Sequence, residues 1–250
     1  MKVTVFNGSP WGEAGNTHII AEEFGQGAWQ AGAKFQNFFL AAREIQPCDE
    51  CGTCFFKTPG KCRLKDDMSE LISRFMDSDI VVFATPVFID NVTALMKTFI
   101  DRLMPVLEPH YEKDSNGEYR RRGRYKKYPK FVVISSCAMP EQSNFQVLRL
   151  YFRRMARTMH TEVVGEIYLA AAGLMLLSAE ELRFRQMVDS YKELLRAAGK
   201  ELVETGKIGP DMVGRLEQPL IDSDEYVEYA NRMWDQLLAE RRTPAFVASR

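Results

Sequence analysis

Histidine is scarce in this chain: three in 250 residues, His18, His110 and His160, scattered along the sequence. No clustered triad can be read from them, and the usual general base is missing from every candidate site. An excess of one charge is missing too. Lys and Arg number 33 against 34 Asp and Glu, a formal net charge of −1, so nothing pulls the chain globally toward nucleic acid or anionic lipid. No apolar run approaches the ~20 residues that span a bilayer. The opening "MKVTVFNGSP" reads as a short strand and a glycine turn, without the longer apolar stretch and cleavage site of a signal peptide. A cytoplasmic protein with reduced thiols is expected. A chain of this size that is 46% hydrophobic can build a core without disulfide staples, which excludes a disulfide framework.

What is present is an alternation. Residues 2–7, 33–40, 79–86, 130–136 and 161–169 read as strands, and "DIVVFATP" at 79–86 is apolar on both faces, as a central parallel strand is. Between them, 17–31, 66–77, 91–104 and 141–158 read as helices. Met68, Leu71, Ile72, Phe75 and Met76 fall on one face of the second of these, with Asp66 or Asp67 as its N-cap. Alternating strands and helices predict a parallel sheet covered on both faces. Residues 179–204 and 223–240 are helical patterns without strands. The expected organisation is one unit over 1–205 and a C-terminal helical extension over 206–250. The segment 113–130 is basic, with Arg120, Arg121, Arg122, Arg124, Lys126 and Lys127 interleaved with tyrosines. It reads as a solvated hairpin turned at Asn116-Gly117, and contact with nucleic acid is the weaker alternative because the whole chain is not basic. Contact with the phosphates of a nicotinamide nucleotide is a third reading.

In an open α/β sheet, ligands sit beyond the carboxyl ends of the strands, and three such loops carry chemistry. "NGSPWGEAGNT", from Asn7 to Thr17, gives a glycine turn, the Ser9 hydroxyl, then Gly15-Asn16-Thr17 opening a helix. Amides and the helix dipole there favour a phosphate. Neither a Walker A lysine nor GxGxxG is present, so a single phosphate monoester fits better than a pyrophosphate. In "ATPVFIDN", Pro86 stops the strand, and Val87, Phe88 and Asn91 offer an apolar shelf with one polar group, suited to the edge of a flat heterocycle. "SSCAMPE" places Ser136, Cys137 and Ala138 to close over the other side of a ring. Cys137 reads as a small packed residue and not as a nucleophile.

The remaining cysteines crowd into "PCDECGTCFFKTPGKC": Cys48, Cys51, Cys54 and Cys62, spaced C-x2-C-x2-C-x7-C. Three thiols two residues apart and a fourth beyond resemble ferredoxin spacing with a longer final gap. Zinc prefers two separate C-x2-C knuckles. A [4Fe–4S] cluster is the leading reading. A site without metal and a zinc site remain as alternatives. Gly52 and Gly60 let the backbone turn closely around a bulky group.

Taken together, Gly8-Ser9-Pro10 with Gly15-Asn16-Thr17, "ATPVF…LMKTFIDR" and "ISSCAMPE" resemble the flavodoxin-like NAD(P)H-dependent FMN reductases. "PCxxCxxC…C…DDM" is similar to their iron–sulfur flavoprotein branch. The likeness covers roughly residues 1–170. It implies a flavodoxin-like three-layer sandwich, a five-stranded parallel sheet in the order 2-1-3-4-5, noncovalent FMN, and a homodimer or homotetramer. By the same resemblance Ser9, Asn16 and Thr17 hold the FMN phosphate. Pro86, Val87, Phe88 and Asn91 line the ring, with Ser136, Cys137 and Ala138 opposite. Trp11, Phe88 and Ala138 depart from the family's frequent basic residue, tyrosine and glycine. The implied activity takes electrons from NAD(P)H and passes them to an acceptor that the sequence does not name; the flavin carries the chemistry, and no side chain is expected to act as acid or nucleophile. Two alternatives come from other classes: an electron carrier reduced by ferredoxin, and a redox or metal sensor.

Overall fold

The strands begin where apolar residues run without interruption. β1 (Lys2–Asn7) is buried from Val3 onward, and β3 (Ile80–Pro86) from Ile80 to Thr85. A computed structural model describes residues 1–177 and 182–241. In it β2 (Lys34–Phe39), β1, β3, β6 (Lys130–Ser136) and β7 (Val163–Leu169) form one parallel sheet in the order β2-β1-β3-β6-β7. Counting parallel strands alone, this is the expected 2-1-3-4-5. The labels differ because β4 (Leu107–Lys113) and β5 (Tyr119–Gly123) form a separate antiparallel hairpin between β3 and β6. The register is regular across the centre, with Val5 beside Val82 and Val82 beside Val132.

Side chains alternate across the sheet, and each face builds its own core. Val3, Val5, Val82, Ala84, Val132, Ile134 and Ile167 pack under α1 (Asn16–Gln30) and α7 (Leu182–Thr205). Those two helices approach closely because Gly27 and Gly199 face each other's backbone. A Cβ on Gly27 would lie 1.9 Å from the Arg196 carbonyl oxygen, and one on Gly199 2.0 Å from that of Phe24. On the other face an aromatic layer lies under α3 (Met68–Met76), α4 (Ala94–Asp101) and α5 (Gln146–Thr158). Its ring centroids lie 4.4 Å apart for Phe6–Phe99 and 4.9 Å for Phe83–Phe131. A short α2 (Thr53–Phe56) sits in the cysteine loop, and α6 (Leu174–Leu177) follows β7. α8 (Pro210–Leu216) and α9 (Ser223–Ala239) close the chain, and Leu216, Ile221 and Tyr226 join the α1/α7 core. Residues 179–181 of the expected 179–204 helix, and 242–250 of the expected extension, lie outside the described residues. Among the described residues, no helix is long and apolar enough to cross a membrane.

Two sequence expectations need correction and a third, the N-cap, needs refinement. The helix expected over 91–104 is shorter. Thr93 caps α4, its hydroxyl accepting the Met96 amide at 3.2 Å, and the chain leaves the helix at Arg102. Asp67 holds the N-cap position of α3, one of the two residues expected there, without a side-chain capping bond; Asp66 accepts the Met68 amide at 3.2 Å and is otherwise wholly buried against Arg102. The hairpin is not simply solvated. Asp114 accepts the amides of Asn116 and Glu118, and Arg157 closes on the same carboxylate. Arg120 reaches Glu112 and the Arg157 carbonyl, Arg121 the Pro109 carbonyl, and Arg124 the carbonyls of Pro105 and Leu107. Much of its positive charge is thus spent within the hairpin, on the turn before it and on the end of α5.

Candidate functional site

Among the cavities that open on this scaffold, two are lined by residues singled out from the sequence. The first, about 480 Å³, lies beyond the carboxyl ends of β1, β3, β6 and β7. Its floor is the Asn7–Thr17 loop. Gly8 is pinned from both sides, its amide donating to the Ala84 carbonyl (2.7 Å) and its carbonyl accepting the Thr93 hydroxyl (2.7 Å). The loop then folds back so that the Ser9 amide donates to Asn7 Oδ1 (2.9 Å) and the Trp11 amide to Ser9 Oγ (3.3 Å). A Cβ on Gly15 would stand 2.8 Å from Ser9 Oγ, so only glycine lets the loop close this tightly. Gly15 occupies the N-cap of α1 and no side chain caps that helix. The first amides of an uncapped helix, with the positive end of its dipole, face outward for a partner. Two further groups lack one: Asn16 Oδ1 and Asn7 Nδ2 are buried without a hydrogen bond. Thr17 Oγ1 and Ser136 Oγ, 2.8 Å apart and both buried, meet across the loop from α1 and β6.

The sides are apolar. Pro86, Val87 and Phe88 follow β3, and the Val87 amide donates to the Ser136 carbonyl (2.9 Å), fixing that shelf to the β6 end. Cys137, Ala138, Met139 and Pro140 form the opposite strip, tied to the β7 end by Cys137 N to Leu169 O (3.0 Å) and Ala172 N to Cys137 O (2.9 Å). Burial pushes the Cys137 thiol above its ordinary range, which disfavours a thiolate nucleophile there. Nine of the ten expected residues therefore line one cavity: Ser9, Asn16, Thr17, Pro86, Val87, Phe88, Ser136, Cys137 and Ala138. Asn91 does not. Its Oδ1 accepts the Val92 amide (2.8 Å) in a tight turn where Ile89 and Asp90 both take positive φ. No Lys, Arg or His lines the cavity among the described residues.

The fourth side is an addition that the sequence reading did not place here. α9 presents Tyr226, Val227, Ala230, Met233 and Trp234 to the cavity at helical spacing. Tyr226 Oη donates to the Ala138 carbonyl (2.9 Å), joining the helix to the β6 loop. The pattern was visible as an apolar stripe, but no local signal says against which surface such a stripe packs.

The second cavity, about 340 Å³, contains all four clustered cysteines in its lining: Cys48, Cys51, Cys54 and Cys62. All are free thiols. Gly52 and Gly60 take φ of 68° and 81°, which lets the loop reverse around the cavity. Burial and the neighbouring Cys62, Cys48 and Cys51 push the Cys54 thiol up, whereas hydrogen bonding from Thr53 pulls exposed Cys51 down. Among the described residues no group of three or more His, Cys, Asp or Glu side chains is arranged to hold a metal ion; the thiols line the cavity without converging on a point. The hairpin supplies the opposite wall, with the Arg121 guanidinium 4.8 Å from the Phe55 ring centroid and 5.2 Å from that of Tyr111. At the base lies Arg102, buried and paired with Asp66. Burial would push the Asp66 carboxyl up, but the Arg102 fork and the amides of Gln46 and Met68 outweigh it and hold the group below the ordinary carboxylate range. α4 runs between the two cavities. Thr93 at its start touches the Gly8 loop, and Arg102 at its end touches Cys62.

An open parallel sheet with a largely apolar cavity beyond its carboxyl edge places this chain in the class of α/β proteins that bind ligands at that edge. The family model for NADPH-dependent FMN reductase matches residues 1–173, and the chain belongs to that family. An iron–sulfur flavoprotein of Archaeoglobus fulgidus is 38% identical over 105 residues, 42% of this chain and 46% of that protein. One of Methanocaldococcus jannaschii is 33% identical over 106 residues, 42% of this chain and 53% of that protein. The chain thus aligns with about half the length of each. Among solved structures, an FMN-dependent NADH-azoreductase from Bacillus anthracis in complex with FMN superposes with a TM-score of 0.58 at 13% identity, covering 81% of this chain and 99% of that one. At that identity the likeness is one of fold.

Proposed function

We propose that the chain is an FMN-dependent oxidoreductase that takes electrons from NAD(P)H and passes them to an acceptor through a [4Fe–4S] cluster held by Cys48, Cys51, Cys54 and Cys62. The observation that carries the flavin reading is the start of α1, which no side chain caps, with the buried Thr17 and Ser136 hydroxyls meeting at its first turn. These groups, with Ser9, fit a phosphate monoester held by neutral donors and a helix dipole. Pro86, Val87 and Phe88 on one side and Ser136, Cys137 and Ala138 on the other would orient a flat ring. Met233 and Trp234 from α9 would exclude water from it. Bound FMN supplies a centre that accepts electrons in pairs and releases them singly or in pairs.

In chemistry, though not in their present spacing, the donors of the second cavity suit a cluster: four soft thiols on one reversing loop, with a buried guanidinium behind them. A bound cluster supplies one-electron steps. The cavity's rim exposes Phe56 and Tyr111, which favours a second reading in which a ferredoxin delivers electrons at this face. Self-association as a homodimer or homotetramer belongs to the same proposal, since Phe88, Ile89 and Met139 leave an exposed apolar rim beside the first cavity.

One preparation tests these readings. Protein reconstituted anaerobically with FMN, iron and sulfide is mixed with NADPH or NADH. Bleaching of the flavin bands supports the reductase, and bleaching by reduced ferredoxin alone supports the carrier. Failure of the protein to retain FMN at all refutes both.

A further inference from the structure

Arg102 is the largest of the fully buried side chains, at 1% exposure, and its carboxylate partner Asp66 is equally hidden. It stands where α4 ends, and its guanidinium serves three groups. Nη1 donates to Asp66 Oδ2 and to the Gln46 carbonyl, both at 2.6 Å. Nη2 donates to Asp66 Oδ1 at 3.0 Å and to Cys62 Sγ at 3.5 Å. Asp66 in turn accepts the amides of Gln46 (3.0 Å) and Met68 (3.2 Å). Gln46 lies two residues before Cys48, and Asp66 four residues after Cys62. The ion pair therefore clasps both ends of the cysteine loop from beneath.

Stability alone is a poor reason for such a pair. Removing two charges from water costs more than their attraction commonly returns, and an apolar pair of similar volume usually holds a loop as well. Arg102 Nε is moreover left without a hydrogen bond. What an apolar pair could not do is present an N–H and a positive charge to a sulfur atom. Hydrogen bonds to ligand sulfurs and nearby charge are the levers by which a protein sets the potential of a cluster.

We propose that Arg102, oriented by Asp66, is a positioning residue for the cysteine cavity: it fixes Cys62 as the fourth ligand and raises the reduction potential of the centre bound there. The inference rests on the iron–sulfur reading above. Reduction adds one electron to the centre, so a fixed positive charge beside a ligand sulfur favours the reduced state and a fixed negative charge disfavours it. The two members of the pair should then act with opposite sign. Arg102→Gln lowers the midpoint potential. Asp66→Asn, which keeps shape and removes the negative charge, raises it. Arg102→Lys, which keeps charge without the fork, shifts it less than Arg102→Gln. A merely structural clasp predicts something else, because breaking it from either side would loosen the loop alike.

The test uses the full chain, reconstituted anaerobically with iron and sulfide. Iron, acid-labile sulfide and FMN are counted per chain, and the midpoint is read by redox titration followed by electron paramagnetic resonance. Opposite shifts in the Gln and Asn variants support the proposal. Unchanged potentials, or shifts of one sign in both, overturn it while leaving the cluster reading intact. Wild-type protein that takes up no iron and sulfide overturns the cluster reading itself, and this inference with it. Should Arg102→Gln not fold, judged by circular dichroism and FMN retention, Asp66→Asn decides alone: an upward shift supports the proposal, and no shift or a downward one overturns it.

Discussion

The Thr17 hydroxyl is the point at which one polar atom can be deleted from the candidate phosphate seat without moving the backbone. Thr17 is the second residue of α1, 1% exposed, and its Oγ1 lies 2.8 Å from Ser136 Oγ. In the unliganded protein, Thr17→Ala leaves the Ser136 hydroxyl short of that partner, a cost of about 1–3 kcal/mol. That cost falls on stability and is read from the Tm. In the complex, the same change removes a hydrogen bond to a charged phosphate, which contributes roughly 1.5–3 kcal/mol. Converted at 1.4 kcal/mol per decade, FMN should bind roughly 10- to 150-fold more weakly. Riboflavin has the same ring and no phosphate, so its affinity should not change. Titrating apo-protein with each flavin and following the quenching of flavin fluorescence separates the two. If riboflavin weakens as much as FMN, Thr17 acts through the shape of the cavity and the phosphate assignment is wrong. FAD held as tightly as FMN by the wild type would refute the monophosphate reading from the other direction.

Three further outcomes are expected. Changing Cys48, Cys51, Cys54 or Cys62 singly to Ala should abolish iron and sulfide uptake and leave FMN bound, because the two cavities share no lining residue; Cys137→Ala should leave the iron content unchanged, as measured by metal analysis. Tyr226→Phe removes the hydrogen bond to Ala138, about 0.5–1.5 kcal/mol, and should raise amide hydrogen exchange in α9 while the central strands keep their protection; unaltered α9 exchange would count against the latch. The folded-state carboxyl of Asp66 sits below its unfolded value, so its contribution is complete above roughly pH 5 and is lost as pH falls through the folded value. Acid unfolding of the apo-protein, followed by circular dichroism, should therefore be less steep in Asp66→Asn than in wild type, with stability near neutral pH lower throughout.

The sheet was legible in the sequence because its central strands are buried on both faces, so "IVVFA" at 80–84 and "FVVI" at 131–134 are apolar without gaps. The turn from Asn7 to Thr17 was legible because a tight strand-to-helix connection demands glycine and small hydroxyl residues. Asn91 reads as a ligand donor because it follows an apolar shelf, whereas its side-chain oxygen accepts the amide of the next residue, Val92, in a turn where Ile89 and Asp90 take positive φ. Asp66 was legible only in part, while Asp67 holds the N-cap position. An acidic residue before a helical stripe has the composition of a cap, and only tertiary structure brings Arg102, 36 residues away, against it. The hairpin's arginines read as a solvated charge run because carbonyl acceptors leave no trace in sequence. The place of α9 was invisible for the same reason: periodicity defines an apolar face but not its partner.

The cavity wall formed by α9 lies wholly beyond residue 173, where the family match ends. The anion seat and the shelf that flank the proposed ring all lie before that point. Two tasks are therefore written in separable stretches of the chain. Residues of the family segment fix what is held, and a helix appended to it decides how much room remains beside it. Substitution at Val227, Ala230, Met233 or Trp234 would reshape the entrance while leaving Ser9, Asn16 and Thr17 of the proposed seat untouched.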